Sequence, residues 1–400
     1  MHLKKIKKYT SNGKVFLTAE VEAKHFNKAK QIFFSYPEKY VNYIPENADP
    51  FFPAVMMPAM RYGEDLVIDS PVSQKLMNSQ SLIQDIFITW YPEDLKRIRI
   101  TASEINESEP EPRNRNATFF SLGVDSMYTM LKYLTTNDPP PGKELSVLIY
   151  MKGLELPLSI YKDHQEVHVI QSIKELTAHY NLDVIVGETN IRDIFPLRWD
   201  TNYSGPGLSS VALSLCKGFD HIYIPSSHSY ANLSANPSSP LTDRLWSNGQ
   251  VKIIHDGAEA ERAEKIETLI VKNTIALNKL RVCVDNAGGD YNCGKCWKCL
   301  QTMVTLKIVG KLKNSKSFPD ELPENSSNSM QIYNHSSLKF TMENLKLAQK
   351  YNDKQMEKVL SREIRFGKLD LLRDKRPIYF LFNEMLYYYW WKILKKSGVS

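Results

Sequence analysis

The chain has no run of about 18 apolar residues, and its basic N-terminus, MHLKKIKKYTSNGK, lacks the apolar core of a secretion signal. A membrane span is therefore not expected, and the reading is of a cytoplasmic protein. The most membrane-like stretch, Ile378 to Leu394, is broken by Asn383 and Glu384 and reads as a buried or dimer-forming aromatic helix. Charge of one sign is also scarce. Lys plus Arg number 51 against 45 Asp plus Glu, and +6 over 400 residues is too mild to argue for nucleic acid by itself. There is no internal repeat, and no Ser/His/Asp or Cys/His set marks a covalent catalyst.

Cysteine is sparse too, with five residues, but four of them fall within a 17-residue stretch. Cys216 stands alone in LSSVALSLCKGF, where a free cysteine serves as a small core residue. The others, Cys283, Cys293, Cys296 and Cys299, lie in RVCVDNAGGDYNCGKCWKCL. Two overlapping CxxC steps with a fourth cysteine upstream can wrap four thiolates around one Zn2+. Gly288, Gly289 and Gly294 free the backbone to turn the sulfurs inward, and Lys295 and Lys298 offset the anionic charge. Four sulfurs leave no open position, so the zinc is expected to be structural.

What is abundant is hydrophobic residues, at 42%, enough for one large or two medium domains with real cores. Residues 1–110 alternate in short strands, KVFLTAEVEA and DLVIDSPV among them, with one helix near SQKLMNSQSLIQDIFITW, and read as a small α+β domain. A polar, proline-bearing linker, ESEPEPRNRN, follows. From residue 116 to about 310 strands and helices alternate, predicting an α/β doubly wound parallel sheet. The stretch AERAEKIETLIVKNTIALN reads there as one helix, and NDPPPGK as a turn. Residues 311–400 are helical and aromatic, a C-terminal extension.

The first strand of the doubly wound region leads into NATFFSLGVDSMYTMLKYL, a strand, a glycine turn and a helix opening on an acid and a hydroxyl. Such a turn sits where α/β folds place ligands, and the helix N-terminus favours phosphate. Gly123 allows close backbone approach, while the Ser121 and Ser126 hydroxyls supply donors. Asp125 fits either a Mg2+ ion held between it and phosphates or a helix cap. No lysine follows the glycine, so the segment is not an ordinary P-loop. Three further segments end strands. GETNIRD offers Glu188, Asn190 and Arg192; the long serine-rich loop from Pro225 offers Ser226, Ser227 and His228; HDGAEAERAEKI offers Asp256, Arg262 and Lys265. Each competes with a plain structural role in caps, turns or a solvated helix face.

The stretch FFSLGVDSMYT resembles the SGGxDS pyrophosphatase loop of the PP-loop superfamily, whose members split ATP between the α and β phosphates. Leu122 stands where that motif has its first glycine, which narrows the permitted φ. The cysteine cluster ending in CGKCWKC is similar to the zinc site of the 7-cyano-7-deazaguanine synthase family of the queuosine pathway. Together the motifs cover residues 116 to 305. The resemblance implies that Ser121, Leu122, Gly123, Val124, Asp125 and Ser126 hold ATP, with Asp125 and Ser126 catalytic. It further implies adenylylation of 7-carboxy-7-deazaguanine or a similar heterocyclic acid, followed by conversion to an amide or nitrile with ammonia. The extra N-terminal residues motivate an alternative in which the amine belongs to a protein or nucleic acid, in a modification or defence system, with the N-terminal domain holding the partner. A non-catalytic nucleotide-binding scaffold is a further alternative, whereas thiolation lacks a catalytic cysteine near the loop.

Overall fold

The computed structural model describes residues 1–107, 111–135, 144–160, 163–283, 291–324, 332 and 334–373. The expected NDPPPGK turn, Gly288 and Gly289, and the aromatic segment Ile378 to Leu394 lie outside the described residues. The chain divides into two compact units, Met1–Ala260 and Glu261–Ser400.

The first unit is built on one ten-stranded sheet. Its strands are β1 (His2–Ser11), β2 (Lys14–Glu22), β3 (Lys30–Pro37), β4 (Leu66–Ser73), β5 (Ile100–Asn106), β6 (Asn116–Phe119), β7 (Leu145–Lys152), β8 (Asp183–Thr189), β9 (His221–Pro225) and β10 (Lys252–Asp256). In space they run β10-β9-β6-β7-β8-β3-β2-β1-β4-β5. The five strands from β6 onward are parallel, in the order 3-2-1-4-5 of a doubly wound sheet. Their short apolar runs suit strands buried on both faces.

Strands from before and after residue 110 share this sheet. Strand β3 joins β8 antiparallel, with Phe34 opposite Thr189 and Ser35 opposite Glu188. Asn190 clips the joint, its side chain accepting from Phe33 N–H at 2.9 Å and donating to the Gln31 carbonyl at 2.9 Å. One hydrophobic core accordingly runs from Leu17, Phe34 and Phe52 to Val147, Ile185 and Ile222. The helices of this unit are α1 (Phe52–Tyr62), α2 (Gln74–Trp90), α3 (Val124–Thr135), α4 (Asp163–Tyr180), α5 (Ile191–Ile194) and α6 (Ser204–Ser214). In α1 every residue from Phe52 to Met60 is buried, so it is a core helix, with Pro53 in its first turn and Gly63 ending it at φ +65.

The second unit is helical: α7 (Arg262–Thr268), α8 (Thr274–Lys279), α9 (Trp297–Ile308), α10 (His335–Lys350) and α11 (Lys354–Arg373). Leu300, Val304 and Ile308 of α9 pack with Leu347, Ala348, Met356 and Leu360 of α10 and α11. The single helix predicted over AERAEKIETLIVKNTIALN breaks into α7, a 3-10 turn and α8. Asn273 is the reason: its side chain accepts the Ala276 N–H at 3.0 Å and caps a new helix. Among the described residues no helix is long and apolar enough to cross a membrane.

Candidate functional site

In a sheet of this order the neighbours of the first strand are reached by chains departing in opposite directions, which opens a crevice between β6 and β9 at their carboxyl ends. Two loops meet there. The first, Phe120 to Gly123, links β6 to α3. The Ser126 hydroxyl closes this turn, accepting the Ser121 N–H at 3.3 Å and donating to the Gly123 carbonyl at 3.1 Å. Ser126 is therefore a turn-closing group in this state, not a free donor. The left-handed residue is Leu122, at φ +66 with a fully buried side chain; Gly123 is not in that region. A branched L-residue held there carries backbone strain of about 1 kcal/mol. Its burial holds it in place.

Asp125 lies in the first turn of α3, where the helix dipole stabilises a carboxylate. The second loop, following β9, places the Ser227 hydroxyl 3.3 Å from Asp125 Oδ2. Ser226 turns inward, its N–H donating to the Asp256 carbonyl at 2.7 Å and its hydroxyl to the His228 carbonyl at 2.6 Å. The structure thus brings the β6 turn together with Ser227. Ser226 and His228 shape the loop beside it.

The other expected ligand contacts are engaged within the protein. Asp256 is buried and accepts from Thr129 at 2.9 Å, Lys132 at 2.7 Å and Tyr133 at 3.0 Å, tying β10 to α3. Lys132 also meets Glu259 at 2.8 Å. Burial opposes the charge on Lys132, but the two carboxylates win and raise its pKa. Residues 129, 132 and 133 share a face of α3, a spacing visible in the sequence but silent about its partner. Glu188 pairs with Lys14 at 2.9 Å and Lys152 at 3.5 Å, and Lys152 binds the buried Glu166 at 2.7 Å. Asn190 is the joint clip described above. Arg192 is buried, donating to the carbonyls of Leu154 and Glu155 at 2.8 and 2.7 Å. In the second unit Lys265 is buried and Arg262 lies 5.4 Å over the Phe340 ring.

The second unit also holds the cysteine cluster. The sulfurs of Cys283, Cys293, Cys296 and Cys299 all lie within 4.8 Å of one another, close enough to hold a metal ion. Two of the separations are 4.0 Å, Cys293 to Cys299, and 3.9 Å, Cys296 to Cys283. A tetrahedron of Zn–S bonds near 2.3 Å has edges of about 3.8 Å, whereas a disulfide requires about 2.05 Å. None of the four forms a disulfide. Gly294, at φ +66, makes the turn between the ligands, and a Cβ there would meet Pro319 at 2.8 Å. The amides of Lys295 and Cys296 donate to the Cys293 sulfur at 3.4 and 3.2 Å. Asn292, missed from sequence, holds the other arm: it accepts the N–H groups of Val282 and Cys283 at 2.9 and 3.2 Å and donates to the Leu280 and Ser317 carbonyls. The Cys296 sulfur beside it and burial push the Cys299 thiol upward, a cost that a bound cation removes. The buried Cys216, pushed up to about 12 by burial, takes no part.

Comparison of the chain with protein-family models, with curated proteins and with solved structures finds no match.

Proposed function

We propose that the protein is an AMP-forming, ATP-dependent ligase that activates the carboxylate of a small heterocyclic acid, 7-carboxy-7-deazaguanine or a similar compound, for attack by an amine. The observation that carries the reading is the meeting of Asp125 and Ser227 across the β6/β9 crevice, beside the N-terminus of α3. Amides of residues 122–126 and the helix dipole suit a triphosphate there. Asp125 would hold Mg2+, and that ion would supply charge neutralisation for a departing pyrophosphate. Ser227 would orient Asp125 or a phosphate oxygen. In the reaction, a carboxylate oxygen attacks the α-phosphorus and the bond to the β-phosphate bridging oxygen breaks. An amine then attacks the acyl carbon, AMP leaves, and a proton is lost. No enzyme nucleophile is needed, in keeping with the missing covalent set. The cysteine cluster takes Zn2+ in a structural role, because four sulfurs fill its coordination.

The test is incubation with labelled ATP and the acid, with and without ammonium. Equal release of AMP and pyrophosphate that depends on the acid is the expected result. Release of ADP, or turnover indifferent to the acid, sinks the proposal, and nucleotide binding without turnover under any amine indicates a scaffold.

A further inference from the structure

We propose that one face of strands β1, β2 and β3 binds single-stranded nucleic acid. The chain's net charge is concentrated here. Residues 1–40 contain nine lysines, three glutamates and no arginine or aspartate, a balance of +6 that equals the formal charge of all 400 residues. Five of the nine, Lys4, Lys5, Lys8, Lys14 and Lys39, form ion pairs. Lys7, Lys24, Lys28 and Lys30 form none among the described residues. The surplus charge is therefore not consumed within the fold.

Aromatic rings are interleaved with it. Strand pairing sets Tyr9 opposite Phe16 and Thr18 opposite Phe33, and alternation puts Tyr9, Phe16 and Phe33 on one face. Tyr9 stacks on Phe16 at 5.4 Å and 14°, and Phe33 follows at 6.2 Å. The opposite face carries Leu17, Ala19, Ile32 and Phe34, all within the core. Tyr9 is 45% exposed, and Lys7, opposite Thr18, is exposed beside the ladder. A ladder of rings exposed at Tyr9 and part-buried at Phe16 and Phe33, next to the exposed Lys7, suits unstacked bases and their phosphates, whereas a duplex offers no free base faces. Glu20 and Glu22 share this face but are matched by Lys5 and Lys4, so the unmatched charge is cationic, whereas unmatched charge of both signs or a bare apolar face would suit a protein partner instead. The inference stands independently of the ATP reading.

The experiment is fluorescence anisotropy of a labelled 12-nucleotide oligouridine with the full chain at 50 mM salt, alongside a duplex of equal length and an acidic peptide. Expected results are saturable binding of the single strand that weakens with salt, with the duplex bound more weakly. Tyr9→Ala should lower affinity about tenfold, the effect of removing one stacking ring. Lys7→Glu should lower it and flatten the salt dependence. Both side chains are exposed, and circular dichroism checks that each variant folds. Absence of binding overturns the proposal. So does a Tyr9→Ala variant with unchanged affinity, which indicates charge attraction alone, or equal affinity for the acidic peptide, which indicates a protein partner.

Discussion

Replacing Leu122 by alanine and, separately, by glycine tests whether the β6 turn is held in its left-handed form. Both variants delete a fully buried side chain, which costs about 2–5 kcal/mol depending on how far the site collapses. That loss is nearly common to the two. What differs is the backbone. At an ordinary helix or strand position glycine is less stable than alanine by about 0.5–1 kcal/mol, because it has more freedom to lose. At φ +66 the order inverts, since alanine keeps a Cβ crowded against its own carbonyl and glycine does not. Leu122→Gly is therefore expected to be more stable than Leu122→Ala by about 1 kcal/mol, about 2–4 °C in the melting temperature of a domain of some 250 residues. Urea unfolding followed by tryptophan fluorescence measures it, with the slope of the first-unit transition compared between variants. If alanine equals or exceeds glycine, the turn is not left-handed at this residue. Nucleotide affinity measured on the same pair separates turn shape from packing, because only the glycine variant adopts the left-handed turn without strain.

Asp125→Asn is expected to abolish acid-dependent release of AMP and pyrophosphate while leaving the melting temperature within a degree or two; full activity would remove Asp125 from the phosphate site. Cys296→Ser, or a strong chelator, should strip one equivalent of zinc measured by atomic emission and lower thermal stability. A protein that melts the same with and without metal refutes a structural role. Asp256→Ala leaves Lys132, Thr129 and Tyr133 without their acceptor and should cost about 2–4 kcal/mol in the first unit, read by urea denaturation. Burial raises Glu343 from 4.5 to about 7. The folded state then holds the proton more tightly than the unfolded chain, so stability of the second unit should fall as pH rises from 4.5 to 7 and level off above it. Glu343→Gln should remove that slope; an unchanged pH profile would show that Glu343 is not the cause.

The parallel strands were legible because each is a short apolar run between helical patterns, and burial on both faces demands that composition. The cysteines were legible because metal geometry constrains spacing directly. Helix α1 left no trace, since a helix buried all round has no polar face to set a period, and Pro58 reads as a break. Strand β1 was hidden by its lysines and by the bulge between Lys4 and Lys7, where Lys5 sits at φ +53. The partners of Asp256 could not be foreseen, because residues 129 and 256 meet only through the sheet. Asn292 escaped because a side chain that braces a metal arm looks like any loop asparagine.

The seam between β3 and β8 gives the first 110 residues a duty besides any they perform alone. Without them, the 116–260 segment would end at a bare β8, its main-chain donors turned to water and available to the same strand of another copy. A truncated version should therefore self-associate instead of behaving as a smaller enzyme. Trimming for crystallisation or for fusion is better done elsewhere in the chain.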